Sequence, residues 1–358
     1  MKIRKANENY ETWLAERIPL IQADLVRKHQ LMKQAPFPFL RATFYRWAQT
    51  WPEGSPETFA APVALAVGDL HVENFGTWRD VEGRLIWGVN DFDEASWMPY
   101  TCDLVRLATS ALMAIAAEHL RIDGKLACQS ILEGYQDSLR AGGKMIVLAE
   151  HHPALRVMAV ERLKDPEGYW AKLNALPSMR KEPPESATKA LRRMLPERGL
   201  KYRVAHRIAG LGSLGRRRYV ALTQWRGGSI AREAKELTDS AWLFAHPTRR
   251  KGRILYQEVL DCSVRCPDPF VEVHGRWLVR RLAPDCSRIE LPSLPAKHDP
   301  IRLLRAMGFE TANVHLGSRE ASVMAVDLNA RKPNWLFRAA SAMAASVLED
   351  WEQWNKGQ

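Results

Sequence analysis

The segments GDLHVEN (Gly68–Asn74) and NDFDEA (Asn90–Ala95) decide how this chain is read. The apolar run Val63–Asp69 ends in a glycine and a charge, the pattern of a buried strand that delivers its last residues to a site. Asp69 and Asn74, five positions apart, then place a carboxylate and a carboxamide on one loop. The stretch FGTWRDVEGRLIWGV reads as a hairpin turning at Asp80–Gly83, with a second strand over Arg84–Val89. Its end sets Asp91 beside the loop. His71 and Glu73 alternate with Asp69 and read as loop-packing and hydrogen-bonding residues rather than a metal cluster. Asp93 and Glu94 read either as cation contacts or as groups facing solvent and basic neighbours.

Outward from this core, residues 7–35 have helical spacing, the prolines of PFPFLR mark a break, and Phe44–Trp51 suits a short helix. Residues 53–58 read as a loop. Helical pattern recurs over Cys102–Leu120, Lys125–Arg140 and Lys144–Ala149. Asp103 at the start of the first of these is either a helix cap or a buried carboxylate holding the loop through backbone hydrogen bonds, structural in both cases.

The glycine run GLGSLG (Gly210–Gly215) lies far downstream. In a dinucleotide-binding fold such a run opens a helix. Here RRRYVALTQW follows, rich in β-branched and aromatic residues and without an amphipathic stripe, so the arrangement is strand, glycine loop, strand. Glycine lets backbone amides approach phosphate closely, which makes Gly210, Gly212, Ser213 and Gly215 candidate nucleotide contacts. Lys235 falls on the next strand, where it suits phosphate binding, and Glu258 in ILYQEVL is the candidate acidic partner for it. HGRWLVRRLAP (His274–Pro284) reads as a further strand, and the last 55 or so residues return to helix.

GDLHVEN followed by NDFDEA resembles the catalytic core of aminoglycoside phosphotransferases, choline kinases and other protein-kinase-like enzymes, with the pattern HGDxHxxN and then a strand ending in IDFxxA. The resemblance implies that Asp69 is the catalytic base and that Asn74 and Asp91 hold magnesium. It departs at Val67, where the pattern has a histidine. More closely, the chain resembles the bacterial family DUF2252. It shares FLR (Phe39, Leu40, Arg41), GD-H-NFG, NDFDEA, D-L-RLA-S (Asp103 to Ser110), a later G-GS-G run and Lys235–Glu236.

These parts stand in reversed order, since kinases place the glycine loop and lysine first. The expected fold is therefore α+β, a protein-kinase-like two-lobe fold with a circularly permuted chain. Residues 1–200 would form a helical lobe with the catalytic loop and metal-binding hairpin. Residues 201–289 would form a small antiparallel nucleotide-binding sheet, and residues 290–358 would return to the helical lobe. Permutation is admissible because a site depends on spatial position and domain termini often lie close together. The expected cofactors are ATP and Mg²⁺, and the expected activity is phosphoryl transfer to a hydroxyl of a small molecule or protein. Nucleotidyl transfer (AMPylation) on the same fold and a nucleotide-binding pseudokinase are the alternatives.

Composition is compatible with this reading. A length of 358 residues suits two lobes, and 46% hydrophobic with 26% charged residues is ordinary for a globular protein. The net charge of +11 favours anionic partners such as nucleotides. No basic tract interleaved with aromatics points to specific nucleic-acid binding. Five dispersed cysteines argue against a disulfide framework, and Cys262 with Cys266 lacks the second pair a zinc site needs. Neither a signal core nor a long apolar run is seen, so a cytoplasmic location without membrane contact is expected.

Overall fold

Two short antiparallel strand pairs frame the Gly68–Asn74 loop. Strand β1 (Val63–Ala66) pairs with β4 (Ser96–Pro99), and β2 (Phe75–Arg79) pairs with β3 (Leu85–Val89) in the register Phe75↔Val89. Because β2 and β3 end in register, the two motifs leave the hairpin side by side. The Asn90 amide donates to the Asn74 carbonyl at 2.9 Å. The computed structural model describes residues 1–356 apart from 152, 154, 157–164, 248–251 and 287–298.

Behind the loop lies a helical core built on the almost wholly buried helix Thr101–Ala116. The helices Gly124–Ala141 and Pro300–Leu316 pack together at glycines. A Cβ on Gly134 would sit 1.8 Å from the Arg305 carbonyl oxygen, and one on Gly308 would sit 1.9 Å from that of Ile131. Only hydrogen side chains permit this approach, and it brings the far end of the chain against residues near its start. The last helix, Trp335–Lys356, also packs on Thr101–Ala116.

The second unit is a five-stranded antiparallel sheet of β5 (Arg203–His206), β6 (Arg218–Trp225), β7 (Gly228–Glu236), β8 (Val271–His274) and β9 (Trp277–Leu282), in the order β5-β6-β7-β9-β8. The glycine run joins β5 to β6, and Arg218 pairs across with Lys235. Side chains alternate along β7. Glu233 and Lys235 share the face towards the loop. Ala234 lies on the opposite face, where Ala187, Ala190 and Leu191 pack with Tyr219, Trp277 and Val279. The architecture is mixed α and β with small antiparallel sheets. No helix among the described residues is long and apolar enough to cross a membrane.

Several expectations are revised. Residues 7–35 form two helices, Ile3–Ala15 and Gln22–Gln34, separated around Pro19. The prolines of PFPFLR start the helix Pro36–Ala42 instead of breaking structure, since a first-turn proline loses no needed hydrogen bond. Residues 53–58, read as a loop, complete the helix Phe44–Gly54 and begin the helix Pro56–Phe59. The stretch from Lys144 is not helical until Leu148, because Val147 bridges to Ile86. Strand β8 was not foreseen. The helices Pro166–Asn174 and Glu185–Arg193, assigned by sequence to residues 1–200 of the helical lobe, lie against the sheet instead. Their apolar residues cover both its faces, so the sheet unit begins nearer residue 166. The expected boundary at 290 lies outside the described residues.

Candidate active site

One face of the helix Thr101–Ala116 holds the loop. Asp103, Arg106 and Ser110, at successive spacings of three and four, form a polar stripe in an otherwise apolar helix. The Asp103 carboxylate accepts from the amides of Val67 (2.7 Å) and Gly68 (2.8 Å), and Ser110 Oγ accepts from the amide of Val72 (3.0 Å). Of the two structural roles open to Asp103, loop holding is the one observed. His315 Nε2 lies 2.9 Å from Asp103 while its Nδ1 lies 2.8 Å from the Tyr135 hydroxyl. A histidine thus supports the loop from the opposite end of the chain, whereas Val67 occupies the position where the resembled pattern has one. Asp103→Asn retains one acceptor oxygen for these three donors. It is expected to cost about 1–3 kcal/mol, measurable as a lowered urea midpoint.

Arg106, with no exposed surface, grips Asp69. Its Nε donates to Asp69 Oδ1 at 2.8 Å, its Nη2 bonds the same oxygen, and Nη2 also donates to the Leu40 carbonyl at 2.8 Å. Asp69 Oδ2 is left facing the glycine loop. Burial pushes the pKa of this carboxyl above its ordinary value, against the opposing pull of Arg106. Asn74 ties the two motifs together, its Nδ2 donating to the carbonyls of Asp69 (3.2 Å) and Asp91 (3.0 Å). That leaves its amide oxygen for the cavity.

The sheet meets the loop at Lys235, which is only 1% exposed. Its Nζ lies 2.9 and 3.0 Å from the two Asp91 oxygens and 2.6 Å from Asp93 Oδ1. Burial opposes ionisation of Asp91, yet Lys235, a hydrogen bond from Asp93 and Arg280 outweigh it and hold Asp91 low. Asp93 is pushed up, by burial first and then by the Asp91 charge. The pair therefore behaves as one charged and one reluctant carboxyl against one ammonium.

The glycine loop lies over Asp69. A Cβ on Gly212 would stand 3.5 Å from Asp69 Oδ2 and 3.0 Å from the Arg41 carbonyl oxygen. Gly210 and Gly215 take positive φ at either end. Ser213 Oγ accepts from Arg218 at 2.7 Å and donates to the Gly210 carbonyl at 3.2 Å. The N-terminal helices pin the loop, with the Ile21 amide on the Gly215 carbonyl (2.8 Å) and buried Lys28 on that of Gly212 (3.3 Å).

Loop, hairpin and sheet enclose a cavity of about 640 Å³ whose walls include Asp69, Asn74, Asp91, Gly210, Gly212 and Ser213. Sequence reasoning missed its arginines. Arg207, Arg218 and Arg280 converge on the fully buried Glu233, with Arg207 at 2.9 Å and Arg218 at 2.8 Å, and Arg216 bonds Glu94 at 2.9 Å. The signal for Arg216 and Arg218 was the RRR after the glycine run, with the β-strand alternation that puts Arg218 and Glu233 on the site face. Glu94 also accepts from the Ala241 amide (2.6 Å), so it serves as a structural anchor for the sheet unit. His71 accepts from the Glu73 amide and packs edge-on against Phe37, while Glu73 pairs with Arg41 at 2.6 Å, which is the packing role expected of both.

Glu258 is not brought to Lys235. It pairs with the largely exposed Arg253 at 2.6 Å, because the helix Tyr256–Cys262 turns that side chain outward and Asp91 and Asp93 already satisfy the lysine. Glu258→Gln is accordingly expected to leave nucleotide affinity within about twofold of wild type, as read by calorimetry. All five cysteines are free thiols. Among the described residues, no group of three or more His, Cys, Asp or Glu side chains is placed to hold a metal by itself.

No curated protein and no solved structure matches the chain. Residues 20–195, which carry Asp69, Asn74, Asp91, Asp103 and Arg106, match the family described as an uncharacterized protein conserved in bacteria (DUF2252), and this match supports the family reading drawn from the motifs.

Proposed function

We propose that this protein is an ATP-dependent phosphotransferase that uses magnesium to phosphorylate a hydroxyl group. The observation that carries the reading is the convergence of two distant stretches on one cavity. Lys235 touches Asp91, and Gly212 lies over Asp69. The strand order β5-β6-β7-β9-β8, with the glycine run between β5 and β6 and the lysine on β7, supports a kinase-like nucleotide lobe placed late in a permuted chain.

Each side chain has a part to play. Arg106 fixes Asp69 through Oδ1, so Oδ2 is the oxygen left to accept the proton of the substrate hydroxyl. As the hydroxyl oxygen bonds to the γ-phosphorus, the bond from phosphorus to the bridging oxygen breaks. The proton passes to Asp69, and ADP departs. Amides of residues 210–215 and the arginines anchored on Glu233 are placed to bind the phosphates. Lys235 would exchange carboxylate contacts for phosphate oxygens.

The donor set fits magnesium. The Asn74 amide oxygen and the Asp91 carboxylate, the latter with 38% of its side chain exposed, are hard oxygen ligands on one cavity wall. Bound there, the ion would neutralise phosphate charge. The test is incubation with labelled ATP and a panel of hydroxyl-bearing metabolites and proteins. Label is expected on one acceptor class, and the mass gained separates phosphoryl from nucleotidyl transfer. Absence of label from every acceptor, with no ADP released, would reject the reading.

A further inference from the structure

Beyond Asp91 and Asp93, a second cavity of about 270 Å³ adjoins the first at Asn90, Asp268, Val271 and Arg280. Three aromatic rings, Trp78, Phe92 and Tyr256, form part of its walls, and Phe92 meets Tyr256 edge-on at 5.6 Å. Arg265 also lines it, although only 8% of that residue is exposed. The guanidinium stands 4.5 Å from the ring centre of Trp78 and 5.1 Å from that of Phe92.

What sets Arg265 apart among the described residues is that no polar group answers its guanidinium, whereas Arg232, comparably buried and also without a carboxylate, bonds the carbonyls of Met194 and Ala231. The similarly buried Arg106, Arg216 and Arg218 each bond a carboxylate. Among the described residues, nothing makes a hydrogen bond or ion pair with Arg265, and its Nε and Nη1 are buried without a partner. The two carboxylates in the same wall are turned to other donors. Asp261 accepts from Gln257 at 2.8 Å and Asp268 from the Phe270 amide at 2.9 Å. Glu310, whose charge acts on Arg265 from a distance, is engaged by the Val89 amide and Asn313, and burial pushes its carboxyl up to about 7. Burying a guanidinium unpaired is costly, and ring contacts offset only part of that cost.

We propose that this second cavity binds a small monocarboxylate with an apolar or aromatic body, its carboxylate meeting Arg265 and its body packing on Trp78, Phe92 and Tyr256. Arg280, the other arginine of the wall, is paired with Glu233, which leaves the Arg265 guanidinium to balance one negative charge. Asp261 and Asp268 in the wall disfavour a dianion such as a phosphate monoester. The volume suits a compound of about ten heavy atoms rather than a nucleotide. Phe92 stands between Asp91 and Asp93 in the chain, so an occupant bears directly on the segment that carries both. That effect on turnover rests on the phosphotransferase reading, whereas the binding itself does not.

The experiment is calorimetry and ligand-observed NMR on the full chain without nucleotide, using acetate, isovalerate, phenylacetate and indole-3-acetate, with phenylacetamide as the uncharged control. At least one of the larger carboxylates should bind, phenylacetamide should bind at least about tenfold more weakly, and Arg265→Met should lose the carboxylate's advantage. Failure of all four carboxylates at about 10 mM, a millimolar ceiling on useful affinity, would overturn the proposal. So would equal binding of phenylacetate and phenylacetamide, a comparison that needs no variant and holds even if Arg265→Met does not fold. Such binding without any ATP turnover would leave the cavity assigned and the phosphotransferase reading refuted.

Discussion

Replacing Asp69 by asparagine is expected to lower turnover by about 10²–10⁴-fold while nucleotide affinity stays near wild type. The substitution is nearly isosteric, and the asparagine oxygen still accepts from Arg106, so the loop keeps its shape. What disappears is the oxygen able to take a proton. Asp69→Ala would be a poorer probe. It leaves Arg106, which has no exposed surface, without its counter-ion, at a cost of about 3–5 kcal/mol. In the wild type, turnover should fall on the acid side as Asp69 is protonated, with a midpoint above the ordinary aspartate value because burial raises it. Steady-state ADP release across pH, with calorimetry in parallel, reads both effects. An Asp69→Asn protein that turns over normally would remove Asp69 as the base.

The second large effect concerns Lys235→Met. Losing the ammonium proposed to bind phosphate is expected to reduce turnover by about 10²–10³-fold and to weaken nucleotide binding. Stability should change as well, because Lys235 is the cation between Asp91 and Asp93. Without it, the two carboxyls, Asp91 with 38% of its side chain exposed, face each other with no cation between them. The loss should be about 1–3 kcal/mol near neutral pH once solvent screening is allowed for. The sign with pH follows from Asp91, whose carboxyl Lys235 holds below its ordinary value despite burial. That contribution is present above the unfolded carboxylate range and lost as pH falls through the folded value. The deficit of the variant should therefore shrink on acidification. Thermal melts at neutral pH and at about pH 3, inside that window, test this, and a deficit that grew in acid would contradict the pairing.

Much of the site was legible because its chemistry is local in sequence. Asp69 and Asn74 share one loop, and the hairpin that follows has a turn at Asp80–Gly83 between two short runs rich in apolar residues, so the placement of Asp91 followed from ordinary hairpin geometry. The strand character around the glycine run was equally plain in its β-branched residues. The partners of these groups were harder to read. Arg106 belongs to a recognisable run, yet its role depends on the helix face it shares with Asp103 and Ser110, a stripe of three polar residues in an apolar helix. His315 and Glu233 act over separations that no local pattern encodes. Glu258 was assigned to Lys235 by the expected order of kinase parts, and the nearer carboxylates of Asp91 and Asp93 won instead. The helix Glu185–Arg193 shows a clear amphipathic pattern and Pro166–Asn174 hardly any, and nothing in either names the surface they cover.

The central claim is that a loop near the start of the chain and a sheet far downstream build one nucleotide site. Calorimetric titration of magnesium–ATP into the wild type, Asp91→Asn and Lys235→Met proteins tests it with one substitution in each stretch. One-site binding to the wild type, weakened at least about tenfold by either substitution and abolished by omitting magnesium, is the expected result. A folded wild type that binds no magnesium–ATP, or binding that only one of the two substitutions affects, would contradict it.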